Sequence, residues 1–306
     1  MSSVLRHRCG AASSFFDFES AMVWLIIGVT YMRVGYSEFS FGYAVTENII
    51  RAAYTGPRGA PIFPNLVQEA RLGFDVQINF PGVPLFFQYK LPELMRRSTA
   101  SEISTFNCPG LSVPFFRMPL MRRDLSRQHQ LLIELENRYP GAVHYASPCL
   151  TDIEEFDRAY NLANVHRRSI FFSPNEIGPL PDDRSHTISY KDGLQVAYLR
   201  SEPREIRTRT FEILQEEIRY LFDREAFRSL RVASRNVLEN VRSLVSPAMR
   251  IAEESISERI DSRRMAQPDV GERSLEDNEV IKDILVAREM ARVDIGVDLM
   301  IAQPRP

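Results

Sequence analysis

The chain has 306 residues, 44% of them hydrophobic and 25% charged, which is ordinary for a soluble globular protein that buries a full core without staples. A formal net charge of −2 excludes bulk electrostatic capture by nucleic acid, so any polyanion site has to be a local basic patch. Three widely spaced cysteines, Cys9, Cys108 and Cys149, form no C-x-x-C, which argues against a zinc knuckle or a disulfide scaffold and for a reducing, cytoplasmic setting.

The apolar run Ala21 to Met32 is shorter than the roughly 20 residues a membrane-spanning helix needs, and Asp17 and Glu19 precede it, so no membrane association is expected. Residues 1–35 are read as an N-terminal extension. The segment from Ser40 to Gly56 has helical spacing at Phe41, Ala44, Val45, Asn48 and Ile49, with Ser40 as its N-cap and Gly56-Pro57 as its stop. A proline-broken extended segment follows. The stretch Asp75 to Lys90 then alternates, turns at Pro81-Gly82 and runs apolar to Gln88, Tyr89 and Lys90, as a β-hairpin would.

Beyond the hairpin, Pro92 opens a predicted helix through Ser104, and "VPFFRMPLM" is a short strand. An amphipathic helix is expected from Arg122 to Gly141, with Leu125, His129, Leu132 and Leu135 on one face. "AVHYASP" is a strand. A helix capped by Thr151 or Asp152 carries Glu154 and Glu155 in its first turn. "IGPLPDD" is a turn-rich loop whose carboxylates, Asp182 and Asp183, are read as solvated, and residues 186–200 form a second hairpin about Lys191-Asp192-Gly193. From residue 204 onward long helical patterns run with no strand signal, and the last residues, "IAQPRP", form a frayed tail. The expected fold is therefore α/β: a mixed sheet flanked by helices over residues 36–203 and a helical C-terminal region over 204–306.

The polar finish of an apolar strand calls for a chemical reason. Metal-dependent phosphodiester hydrolysis needs oxygen ligands for a hard cation and a nearby lysine to orient water and stabilise charge. A hairpin brings Asp75 on one arm near Gln88 and Lys90 on the other, and period two puts Gln88 and Lys90 on one face. Gly73-Phe74-Asp75, then Gln88-Tyr89-Lys90, preceded by a helix with Glu47, resembles the PD-(D/E)XK nuclease superfamily, in the branch of Mrr-like restriction endonucleases with glutamine for the middle acid. The resemblance covers residues 41–147. It implies a restriction endonuclease-like core and Mg²⁺ or Mn²⁺ as cofactor. By the same resemblance Asp75 is the main metal ligand and Lys90 the catalytic lysine. Gln88 and the Tyr89 carbonyl complete the metal shell, with Glu47 joining it or positioning a water. Glu69, six residues before Asp75, competes with Glu47 for that place.

The implied activity is that of a DNA endonuclease, a nuclease effector of bacterial defence against phage or plasmid DNA. Its alternative is a non-catalytic subunit of the same fold that binds nucleic acid or assembles a complex. The Arg pairs Arg96-Arg97 and Arg122-Arg123 are candidate DNA-backbone contacts, with Arg167-Arg168 further on. The stripe of Leu214, Ile218, Leu221 and Phe222 suits packing on the core, or a homo-oligomer or partner protein. His129 is read as a half-buried helix histidine. His166 and His186 stand isolated, and neither a Ser-His-Asp nor a Cys-His grouping emerges from spacing.

Overall fold

The computed structural model describes residues 31–52, 82–223, 229–265 and 275–302. It is α/β, with two sheets flanked by helices. A four-stranded mixed sheet has β2 (Val83–Tyr89) and β5 (Val143–Pro148) at its centre, parallel to each other. Its edges are β10 (Asp298–Ala302) and β6 (Ser169–Phe172), both antiparallel to their neighbours. The second sheet is antiparallel, in the order β1 (Tyr31–Arg33), β3 (Glu93–Met95), β4 (Phe115–Leu120), β7 (His186–Tyr190), β8 (Val196–Leu199) and β9 (Arg204–Arg207). Tyr190 ties the sheets together: its hydroxyl donates to the Pro148 carbonyl at 2.7 Å and meets the Ser147 hydroxyl at 2.8 Å.

All seven residues of β2 are buried, which explains a run of "VPLFFQY" without alternation: a strand covered on both faces is apolar throughout. Pro84 is tolerated inside it for a geometric reason. Phe86 N–H points to β5, donating to Ala142 O at 2.8 Å, so position 84 points the same way. The β5 ladder begins only at Phe86, and the N–H that proline lacks has no partner to lose.

β10 pairs with Val83 to Phe87 along one edge of β2, and β5 with Phe86 to Tyr89 along the other. The second arm of the hairpin expected over Asp75 to Lys90 is the strand β2, and its first arm lies outside the described residues. Gly73, Phe74, Asp75 and Glu69 lie outside the described residues.

The helices follow their sequence signals with some displacement. α1 (Glu38–Ala52) begins two residues before the expected cap, because Ser37, not Ser40, accepts the Ser40 N–H at 3.0 Å. The helix expected after Pro92 is largely replaced by β3, which pairs on both sides, leaving only the one-turn α2 (Ser101–Ser104). α3 (Gln128–Arg138) starts six residues late, since Arg122 to Ser126 form a separate turn closed on the Arg122 carbonyl. Leu125, expected on the buried face, is consequently exposed. α4 (Ile153–Asn161) is capped by Asp152, whose carboxylate accepts the Glu155 N–H at 2.9 Å. α5 (Pro174–Ile177) is a single turn capped by Ser173.

The C-terminal region is helical in α6 (Phe211–Asp223), α7 (Leu230–Leu244), α8 (Pro247–Met265) and α9 (Leu275–Met290), but not throughout. β9 extends the antiparallel sheet, and the residues expected to fray, Ile301 and Ala302, belong to β10. The Leu214–Leu221 stripe packs into the main core, with Ile218 and Phe222 against it. Among the described residues no helix is long and apolar enough to cross a membrane.

Two predictions follow from the core. Leu299 is buried in β10 opposite Phe86, so Leu299→Asp, which places a carboxylate there, lowers unfolding stability by about 3 kcal/mol or more in urea melts. The second concerns acid. Burial lowers the pKa of His129, brings His144 to about 3 and His166 to about 4, while the unfolded chain binds protons near pH 6.5. Below that pH the unfolded state binds protons that the folded state refuses. These three residues stabilise the fold fully above pH 6.5 and lose that contribution as pH falls, His144 and His166 together by about 3 kcal/mol between pH 7 and pH 5. Denaturant melts across that range, with a flat profile as the contrary result, check it.

Candidate functional site

The polar end of β2 has two faces with different chemistry. Tyr89 turns toward α1: its hydroxyl lies 2.7 Å from the Thr46 hydroxyl, and its ring meets Phe41 edge-on at 5.8 Å. Gly42 permits the approach, since a Cβ there would sit 2.7 Å from the Tyr89 ring. By alternation Gln88 turns to the opposite face, toward α3 and the segment that enters β10.

Glu47 therefore does not meet Gln88. It lies on α1, across the sheet, buried and engaged by an ion pair with Arg51 and a 2.8 Å hydrogen bond from Asn48 Nδ2. Asn48 Oδ1 in turn accepts the Val165 N–H at 2.8 Å, so Glu47 braces the contact between α1 and the 3₁₀ turn His166–Arg168. The Tyr89 carbonyl accepts from Gln88 Nε2 at 3.0 Å and keeps a second lone pair. Of the shell implied for these residues, Glu47 is the member that lies on the other face of the sheet, where it braces the fold.

What Gln88 leaves over is its acceptor. Oε1 is buried and has no hydrogen-bond partner among the described residues, and the same holds for Oε1 of Gln128 at the start of α3. The two amides converge at Gly296, which follows the π-helical turn Ala291–Ile295. A Cβ on Gly296 would lie 2.3 Å from Gln128 Nε2 and 3.2 Å from Gln88 Oε1. Gln128 Nε2 also donates to the Ile295 carbonyl at 3.2 Å. A buried unpartnered amide oxygen is unfavourable by about 1–3 kcal/mol, so this pair is suited to a cation or a donor group. Hard oxygen donors fit Mg²⁺ or Mn²⁺, although no group of three or more His, Cys, Asp or Glu suited to a metal occurs among the described residues.

Beside them the face is closed by a neutral histidine. His129 Nε2 faces the Gly178 carbonyl at 2.8 Å, an acceptor only, and so carries the proton. Nδ1 then accepts from the Tyr145 hydroxyl at 2.9 Å. Tyr145 stands opposite Gln88 in the β2–β5 register. His129 is a helix histidine as expected, but it is buried rather than half-buried.

Lys90 continues the strand, its N–H bonded to Ala146 O at 3.0 Å and its carbonyl accepting from Ser147 Oγ at 2.9 Å. Partial burial lowers the pKa of its amine, opposed by the charge of Glu38 in the first turn of α1. Partial desolvation raises the Glu38 carboxyl in return, with Lys90 and a hydrogen bond from the Leu91 N–H pulling it back. Glu38, not Glu47, is the α1 acid that acts on Lys90. No motif marked Glu38, Gln128 or Gly296 in the sequence; each is brought to β2 by long-range pairing.

The Arg pairs differ. Arg122 is held by Asp124 at 2.6 Å, Arg123 by Asp183, and Arg168 by Glu155 at 2.6 Å; Arg167 reaches Glu212 at 3.6 Å. Arg96 and Arg97, just after β3, are exposed and make no ion pair among the described residues. They are the pair left to meet an external anion.

Gly296 sits at φ +80°, and its Cβ position is occupied, so Gly296→Ala lowers stability by about 1–3 kcal/mol. Shortening the obstructing amide relieves the clash: in urea melts the Gly296→Ala/Gln128→Ala double variant loses less than the sum of the single variants.

No family model matches the chain, and neither a curated protein nor a solved structure matches it, so its functional reading is carried by these residues.

Proposed function

We propose that the chain is a metal-dependent DNA endonuclease whose chemistry centres on the end of β2, in a restriction endonuclease-like core. The observation that carries this reading is the unpartnered, buried Oε1 of Gln88 at the strand end that leads to a desolvated Lys90. Gln88, with Asp75, would hold Mg²⁺ or Mn²⁺, and Gln128 adds a second unpartnered amide oxygen on the same face. Bound there, the cation supplies a water of lowered pKa and neutralises phosphate charge. Lys90 donates to a non-bridging phosphate oxygen and orients the attacking water. The charge of Glu38 opposes the loss of the amine proton on partial burial. Arg96 and Arg97 hold the DNA backbone beside it. A nuclease of this kind suits defence against phage or plasmid DNA.

A second reading, a non-catalytic DNA-binding or assembly subunit, is favoured by the engagement of Glu47 with Arg51, which leaves a short ligand set.

Supercoiled plasmid incubated with purified protein and Mg²⁺ or Mn²⁺ decides between them. The nuclease reading expects nicking that falls by about 100-fold or more in Asp75→Ala and Lys90→Ala, the scale of a lost electrostatic group at a reacting centre. Equal nicking by all three proteins sinks it. Absence of cutting together with DNA binding that weakens in Arg96→Ala/Arg97→Ala establishes the second reading.

A further inference from the structure

Where β2 ends, the two sheets meet through hydroxyl groups rather than through backbone. In the parallel pair β2–β5 the Phe86 N–H donates to Ala142 O at 2.8 Å and the Lys90 N–H to Ala146 O at 3.0 Å. Alternate residues of β5, His144, Ala146 and Pro148, therefore turn their backbone groups toward β2. The residues between them face β6, as Cys149 N–H does in donating to Arg168 O at 2.7 Å. After the Lys90 N–H bond, the next ladder donor is the amide of residue 148, and its acceptor is the Lys90 carbonyl. Residue 148 is proline and has no N–H to give.

Side chains stand in for that donor. Ser147 Oγ donates to the Lys90 carbonyl at 2.9 Å. A carbonyl only accepts, so the serine proton is committed there, and Ser147 turns lone pairs to the Tyr190 hydroxyl 2.8 Å away. Tyr190 is then the donor, its proton shared between Ser147 Oγ and the Pro148 carbonyl at 2.7 Å. Burial raises the Tyr190 pKa, which keeps the phenol protonated. Its fully buried ring is stacked on Phe116, centroids 5.5 Å apart, and meets Phe172 edge-on at 5.4 Å, so the hydroxyl has a fixed place. Beyond Lys90 the chain crosses to β3 in the other sheet, and Tyr190 belongs to β7 of that sheet.

We propose that Ser147 and Tyr190 are positioning residues for Lys90. Together they replace the ladder bond that Pro148 removes and fix the backbone of Lys90 at the crossing, so that its amine stays in its half-buried place beside Glu38. That this matters for phosphodiester hydrolysis rests on Lys90 being the lysine of the proposed site; the positioning itself rests on the β2–β5 ladder.

The chain has three lysines, Lys90, Lys191 and Lys282. Reductive methylation of the full-length protein with ¹³C-labelled formaldehyde therefore gives few amine resonances, and the one lost in Lys90→Arg belongs to Lys90. Its pH titration reads the surroundings of the amine whether or not the protein cuts DNA. In wild type it should titrate below the ordinary lysine value of about 10.4, because partial burial disfavours the charge. Ser147→Ala takes the donor from the Lys90 carbonyl, the strand end moves toward water, and the titration should rise by about 0.5 or more. Tyr190→Phe should shift it the same way. Ser147→Ala/Pro148→Ala returns an N–H to residue 148 on the side that faces Lys90 O. This double variant should restore the wild-type titration, and with it any nicking of supercoiled plasmid that Ser147→Ala loses. A Ser147→Ala protein that is less stable in melts but titrates as wild type makes the hydroxyl a structural brace and overturns the proposal. A double variant that titrates like Ser147→Ala overturns it as well. Failure of wild type to nick plasmid removes the nuclease reading and leaves the titration to decide the positioning.

Discussion

The enclosure of β2 is the constraint on which the remainder depends. A strand buried along its whole length must satisfy every backbone group from neighbours and every side chain from packing. β5 and β10 supply the first, β5 from the middle of the described chain and β10 from its last strand. α1, α3 and the turn before β10 supply the second. The polar groups that the strand carries to its end, Gln88 and Lys90, are therefore set in a frame of long-range contacts. The orphaned acceptor of Gln88 is significant for that reason: a flexible surface amide would turn to water, whereas this one is fixed by its own bond to the Tyr89 carbonyl and walled by Gln128 and Gly296.

The same frame couples the two sheets. Tyr190 reaches from the antiparallel sheet to Ser147 and the Pro148 carbonyl at the end of β5, adjacent to where Ser147 holds the Lys90 carbonyl. The chain of bonds Tyr190–Ser147–Lys90 runs from one sheet into the strand end of the other. A change in the antiparallel sheet thus bears on Lys90 through two hydroxyl groups, without contact with the site itself.

Local signals in the sequence were enough for elements whose reasons are local. The Asp152 cap, the 186–200 hairpin and the strands β4 and β5 depend on capping chemistry, turn residues and apolar runs. The misreadings share a cause. β3 looked helical because its three residues offer no alternation, and only pairing with β1 and β4 makes them a strand. Ile301 and Ala302 looked like the start of a tail because a five-residue strand at the chain's end carries no turn partner, and their reason for order is the edge of β2. Glu47 and Glu38 are equivalent by sequence; the packing of α1 on the Tyr89 face decides which of them Lys90 senses.

Buried titratable groups divide by whether their partners leave a degree of freedom. His129 has both ring nitrogens bonded within the sealed core, and Glu102 is clasped by both Arg117 nitrogens and by Ser189 at 2.7 Å; neither has anything left to offer a ligand. His186 resembles them in burial and in having both nitrogens bonded, yet one of its partners is an exposed serine. Gln88 differs again, because its free atom points into the protein and can be met only by something that enters.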